Sequence, residues 1–233
     1  MRLGDVTPAG RLRLDSLTRY TQDVSDDDTT DAGLGAGLAW VVRRTRVDVV
    51  HSAALGEEID ITTFCSGLGR RWAERHLSVS GDRGGRYEVS TLWISVDPST
   101  GRPRQLTDRF LAVYGDAAGG RRVTARLIHP KPSPSAAVRA WPLRAVDFDA
   151  LGHVNNAAYW AVIEETLAEH PEPEPFGACV EYSAGLEPVP DVSIAHDVVG
   201  DVRLLWWLAG DGTEVAASAR LAPIAPPGKA GKA

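Results

Sequence analysis

The 233-residue chain has two cysteines, Cys65 and Cys179, and a single methionine. So few thiols exclude a disulfide framework and a cysteine-based metal centre, and they fit a reducing, cytoplasmic setting. No apolar run approaches the ~18–20 residues of a membrane span. The opening MRLGDVTPAG lacks the apolar core of a secretion signal. No close group of His, Asp and Glu has metal-ligand spacing with apolar support, and no glycine-rich phosphate loop or nucleic-acid motif is present. Neither a metal, a redox cofactor nor a nucleic acid is expected as a partner.

What the chain does contain is ordinary in bulk and uneven in detail. Hydrophobic residues make up 43% and charged residues 24%, as in a soluble globular protein large enough to bury a sizeable core. The net charge of −6 conceals an asymmetry: residues 43–144 carry 17 basic side chains against 10 acids, whereas 145–228 carry 14 acids against only Arg203 and Arg220. A basic middle can receive an acidic partner or a ligand phosphate, and it can equally be a solvated surface in a chain that prefers arginine to lysine.

Leu14, Leu17, Tyr20 and Val24 recur at helical spacing, which predicts one buried stripe. The acids Asp26–Asp28 and then Asp31-Ala32-Gly33 should fray and stop that helix. Four strand-like segments follow at 38–50, 57–66, 70–79 and 86–97, rich in β-branched and aromatic residues and separated by glycine-bearing turns. Residues 127–138 read as a Pro/Ser linker. A short strand near 139–148, a helix from Asn156 to Glu169 stopped by PEPEP, and strands at 176–185, 191–199, 201–209 and 213–222 complete the pattern. Helix and four strands, twice over, is a repeat of architecture. It divides the chain into residues 1–126, the linker 127–138, residues 139–223 and a disordered tail 224–233. Laying Asp5 over Asp147 also matches Gly10 to Gly152, with Thr7 standing for Asp149 and Arg11 for His153. The polar cluster therefore belongs to the second copy alone.

That cluster, VDFDALGHVNNAAYW at 146–160, holds more chemically able groups than a helix cap requires. Asn155 or Asn156 serves as the cap, and Asp147 positions the loop. Asp149, Gly152 and His153 remain as the candidate catalytic set. A carboxylate just before a helix N-terminus lies beside unpaired N–H groups and the positive end of the helix dipole, where an oxyanion can develop. Gly152 permits a close backbone approach. Asp149 is then a general base or a nucleophile, and His153 an orienting group or a donor. Tyr159 and Trp160 line the core or a substrate channel, and Glu164 and Glu165 read as solvated or paired along the helix.

The same stretch resembles the D-x-D-x-x-G-H-V-N-N-x-x-Y signature of hotdog-fold thioesterases, in Asp147, Asp149, Gly152, His153, Val154, Asn155, Asn156 and Tyr159. The doubled pattern is similar to the acyl-acyl-carrier-protein thioesterases of plants and bacteria, with echoes at 40–49, 70–79 and 90–103. The resemblance implies an α+β protein of two tandem hotdogs, each an antiparallel sheet around a central helix. It implies thioester hydrolysis that releases fatty acids from an acyl carrier protein bearing its acyl chain on phosphopantetheine. The first copy would supply an acyl channel. Arginines of its strands (Arg43, Arg44, Arg46, Arg70, Arg71 and Arg75) would dock the acidic carrier, with Arg70 and Arg71 singled out. Long plant members carry an Asn where Leu151 stands, and an acid and a cysteine where Gly185 and Leu186 stand. The shared Glu-Tyr is Glu181-Tyr182, and Glu187 is a substitute for the missing acid. Single-hotdog acyl-CoA thioesterases share the apolar residue before the glycine and rely mainly on the second Asp and a helix N-terminus. An acyl-CoA thioesterase and a catalytically weakened acyl-thioester or fatty-acid binder are thus the alternatives. A monomer or a homodimer of double hotdogs is compatible with either.

Overall fold

The computed structural model of the chain describes residues 1–35, 38–150, 152–186, 192–210, 212 and 214–225. Helix α1 (Leu14–Asp31) precedes strands β1 (Ala39–His51), β2 (Ile59–Leu68), β3 (Trp72–Gly81) and β4 (Arg86–Val96). Helix α2 (Asp108–Ala118) and the short β5 (Ala137–Ala140) follow. Helix α3 (Asn156–Glu169) then precedes β6 (Phe176–Tyr182), β7 (Val192–Val199), β8 (Val202–Ala209) and β9 (Glu214–Pro223). All strands join one antiparallel sheet in the order β2-β3-β4-β1-β6-β9-β8-β7-β5. This is the α+β, double-hotdog arrangement: β1 and β6 are the same strand of successive copies. They pair across the middle, Arg44 opposite Glu181 through Val49 opposite Phe176.

Period-two burial explains which side of the sheet is covered. Val47 and Val49 of β1 and Ala178 and Val180 of β6 are fully buried on one face. Against them pack Leu14 and Leu17 of α1 and Trp160 and Ile163 of α3, in a single apolar cluster that both copies share. The two helices therefore lie together in the middle of one core, and each copy's helix also shields the other's.

Five expectations are corrected. Helix α1 runs through Asp26–Asp28 to Asp31, because Asp26 and Asp27 are exposed and Asp28 receives Arg75 at 2.6 Å and the Tyr114 hydroxyl at 2.7 Å. Helix α2 has no counterpart in the sequence reading. Its Thr107 cap accepts from Phe110 N–H, and Gly119 ends it at φ +55°. The segment 127–138 is no free linker throughout, since β5 begins at Ala137 and pairs with β7. After β5 the chain does not continue as a strand to 148 but makes a 3-10 turn at Ala145–Asp147. Strand β6 ends at Tyr182, earlier than position 185. Of the tail, Ile224 and Ala225 are described; 226–233 lie outside the described residues.

Candidate active site

The loop that enters α3 is built twice. In the second copy Asp147 N–H bonds Arg144 O, Asp149 N–H bonds His153 O, Gly152 N–H bonds Asp149 O and Asn155 N–H bonds Asp147 O. In the first copy Asp5 bonds Arg2, Thr7 bonds Arg11, Gly10 bonds Thr7 and Arg13 bonds Asp5, each in the same sense. Bridges Val6 to Leu12 and Phe148 to Val154 close the two loops alike. Gly10 and Gly152 sit at φ +81° and +79°, in the left-handed region that a side chain strains. The overlay of Asp5 on Asp147 therefore holds bond by bond, and it isolates what differs.

Two of the substitutions between the copies bear on chemistry. Thr7 Oγ1 accepts Arg11 N–H at 3.2 Å, and Asp149 Oδ1 accepts His153 N–H at 3.2 Å. Thr7 and Asp149 thus offer the same acceptor to the loop, but only the second copy's is a carboxylate. Arg11 forks onto Glu164 of α3 at 3.1 and 2.5 Å, and Glu164 also accepts Leu14 N–H at 2.6 Å. The N-terminus of α1 is therefore occupied. Counted along the repeat, Leu14 and Glu164 correspond to Asn156 and Gln22, and these two face a narrow cavity instead. Glu164 is buried, which corrects its reading as a solvated or helix-paired acid, while Glu165 is exposed.

Around the loop, Asn155 is the N-cap and its Oδ1 accepts Ala157 N–H at 2.9 Å. Asp147 is buried. Burial opposes its charge, but the Arg144 side chain and backbone N–H hold its carboxyl below the usual range. Asp149 is half-buried, and His153 and Gly152 are exposed. A first side-chain carbon on Gly185 would lie 3.6 Å from the His153 ring, so Gly185 stands beside His153 with no side chain to offer it. Leu186 is buried, and its carbonyl accepts Val154 N–H at 3.0 Å. Leu151 and Glu187 lie outside the described residues. Burial pushes the Cys179 thiol up to about 12, which leaves it an unreactive thiol at neutral pH.

One cavity borders this helix entrance, and a second adjoins the first. The narrow one, about 20 Å³, is lined by Asn156, Trp160 and Tyr182 from the second copy and by Thr18, Thr21 and Trp93 from the first. Gln22 and Trp93 also line the second, of about 600 Å³, which runs under α1 to Trp40, Phe110 and Tyr114. Helix α1 makes this space by what it lacks. Where α3 has Trp160, Ile163 and Leu167, α1 has Thr18, Thr21 and Ser25, all buried. Missing bulk on one helix leaves room in the first copy, whereas Tyr159, Trp160, Tyr182 and Trp207 fill the second. The stripe Leu14, Leu17, Tyr20 and Val24 does not reveal this row, because buried threonines read as polar residues.

Arg43, Arg44 and Arg75 are half-buried and, like the exposed Arg46, have partners within the fold. Arg43 donates to the carbonyls of Tyr182, Ser183 and Ala125, Arg44 to those of Thr124 and Arg126, Arg46 to Asp48, and Arg75 to Asp28. Arg70 and Arg71 are exposed in the β2–β3 turn. Glu181 does not face the site. It is buried, and it accepts the N–H groups of Ile128 and His129 at 2.9 to 3.0 Å. No helix is long and apolar enough to cross a membrane among the described residues.

Comparison with known proteins places these features. The model of the acyl-ACP thioesterase N-terminal domain matches residues 1–114, and that of the C-terminal domain matches 131–198. An uncharacterised protein of Mycobacterium tuberculosis strain H37Rv is 31% identical over 218 residues, 93% of this chain and 87% of that one. Among solved structures, the 12:0-ACP thioesterase from Umbellularia californica is similar with a TM-score of 0.77 at 20% identity, covering 95% of this chain and 94% of that one. An acyl-ACP thioesterase from Bacteroides thetaiotaomicron gives 0.75 at 16% identity, covering 95% and 93%.

Proposed function

Since the chain belongs to the acyl-ACP thioesterase family, and so acts as a hydrolase on thioesters, we propose that it frees fatty acids from acyl carrier protein. The observation that carries the reading is the second-copy loop: a carboxylate where the first copy has a threonine, next to a helix entrance that opens on a cavity. The thioester carbonyl lies at the N-terminus of α3, where the Asn156 N–H and the helix dipole receive the developing oxyanion. Asp149 acts on the carbonyl directly or through water, Gly152 lets the backbone come close, and His153 orients or donates. Asn155 fixes the helix end. The acyl chain passes Asn156 and Trp93 into the 600 Å³ cavity of the first copy, a volume within the usual range of small-molecule sites.

The carrier docks through Arg70 and Arg71. Strand β3 begins, β4 ends and β6 ends on the same rim of the sheet. The β2–β3 turn and the end of β6 are three strand spacings apart, about 14 Å, so a carrier resting on the turn remains near the entrance. An acyl-CoA thioesterase is the second reading, favoured by the glycine beside His153 and by Leu186 in the position of the family cysteine.

Thiol release from matched acyl-carrier and acyl-CoA substrates tests both readings. Carrier preference in the wild type, a loss of about 10²-fold or more for a folded Asp149→Asn, and a reduced carrier-to-CoA ratio for Arg70→Glu/Arg71→Glu are expected. Equal use of CoA would favour the second reading. No turnover at any chain length would leave an acyl-thioester binder, and full activity of Asp149→Asn would remove Asp149 from the site.

A further inference from the structure

The two helix entrances are filled differently. At the first, the Glu164 carboxylate reaches over from α3 and accepts Leu14 N–H at 2.6 Å together with the Arg11 fork. Leu14 is the first residue of α1, so the acid takes the spot where a helix N-terminus receives negative charge. It is an oxyanion stand-in built into the chain. The overlay of Asp5 on Asp147 pairs Leu14 with Asn156, Arg11 with His153 and Gln22 with Glu164. Gln22 of α1 therefore faces the second entrance as Glu164 of α3 faces the first, and Gln22 and Asn156 line one narrow cavity of about 20 Å³. That is room for one water-sized oxygen. Neither the Asn156 N–H nor the Gln22 side chain has a hydrogen-bond partner among the described residues.

Glutamine keeps the length and reach of glutamate and changes its chemistry. A carboxylate only accepts, and its charge has the sign of the oxyanion; an amide is neutral and brings two N–H donors. We propose that Gln22 is a catalytic residue supplied by the first copy to the second, its side-chain N–H donating to the thioester oxygen alongside Asn156 N–H. As water or Asp149 forms the new C–O bond, the carbonyl π pair moves onto that oxygen, where the two donors hold it. The pair returns when the C–S bond breaks and the sulfur leaves. Gln22 also lines the large cavity, so its amide stands where the carbonyl oxygen and the acyl chain part. The consequence in turnover rests on the thioesterase reading; the contact with an anionic oxygen stands without it.

Two variants test it on one acyl-carrier substrate. Gln22→Ala is expected to lower kcat about 10²-fold, as the loss of one oxyanion donor does, with KM nearly unchanged. The isosteric Gln22→Glu should lose at least as much while melting at or above the wild-type temperature, because it closes the second entrance as Glu164 closes the first. A packing role would give the reverse, an active isostere. Wild-type kcat in Gln22→Glu overturns the proposal and leaves the thioesterase reading intact, since that reading stands on Asp149→Asn. Should Gln22→Ala fail to fold, the isostere decides. If the wild type turns over no thioester, the thioesterase reading falls by itself and calorimetry with decanoate decides. A Kd raised at least tenfold by Gln22→Glu, through like charges meeting at one spot, supports the Gln22 contact; an unchanged Kd overturns it.

Discussion

At the scale of single residues, the most consequential ionic contact lies outside the candidate catalytic set. Glu164 holds Arg11 and the first N–H of α1 at once, and it does so largely buried. Removing the acid leaves a guanidinium and an amide without their partner. Because Arg11 remains 24% exposed, water offsets part of the loss. Glu164→Ala should therefore cost about 2–3 kcal/mol, read as a shift in the midpoint of denaturant unfolding. Glu164→Gln, which keeps an acceptor for Leu14 N–H, should cost about half as much. No shift for Glu164→Ala would show that the pair merely breaks even against hydration. The sequence could point to Asp149, Gly152 and His153 because they crowd one short segment. It could not point to Arg11 with Glu164, because 153 positions separate them and only the meeting of two helices joins them.

At the scale of elements, α1 and α3 are one helix in two versions, and the difference is volume. Thr21 stands where α3 has Ile163. Thr21→Ile adds apolar bulk to a space that exists, so it should stabilise the unliganded protein by about 1 kcal/mol. It should also lower kcat/KM at least tenfold for chains that must pass the narrow cavity. Thermal unfolding together with a chain-length series checks both halves. A variant that is stabilised and still turns over long chains would route the acyl chain elsewhere. The strands were legible from alternation and turns to within a few residues. Helix α2 was missed, although Phe110, Tyr114 and Ala118 stand four residues apart and are all buried. Its order comes from packing Phe110 and Tyr114 against Trp40 and Arg75, contacts that depend on the finished sheet.

At the scale of the whole molecule, the segment between the copies is fastened by charge. Glu181 of β6 takes the N–H groups of residues 128 and 129, and His129 Nδ1 lies 3.0 Å from Ser218 Oγ on β9. Burial lowers the His129 pKa from 6.5. Glu181 opposes that shift, while Arg220 and Arg44 add to it. The unfolded chain therefore binds a proton near pH 6.5 that the folded chain refuses until lower pH. Stability is complete above about pH 6.5 and falls as the pH drops below it, by at most about 1.4 kcal/mol per pH unit. Urea unfolding at pH 7.5, 6.5 and 5.5 should show this decline, and His129→Gln should flatten it. A flat wild-type profile would mean that the imidazole takes up its proton in the fold as readily as in the unfolded chain. The doubled architecture was legible because the order of helix and strands repeats. The single nine-stranded sheet was not, since the pairing of β1 with β6 depends on how the copies face each other.

The duplicated loop has one more consequence. In a symmetric pair of separate, identical chains, any change at one entrance appears at both. An arginine fork that fastens one helix would then close the only kind of mouth the assembly has. Written into one polypeptide, the two entrances inherit independently. One can be sealed with Arg11 and Glu164 as a fixed joint, while its twin keeps Asp149 and an open door. Fusion has given this molecule a left and a right hand.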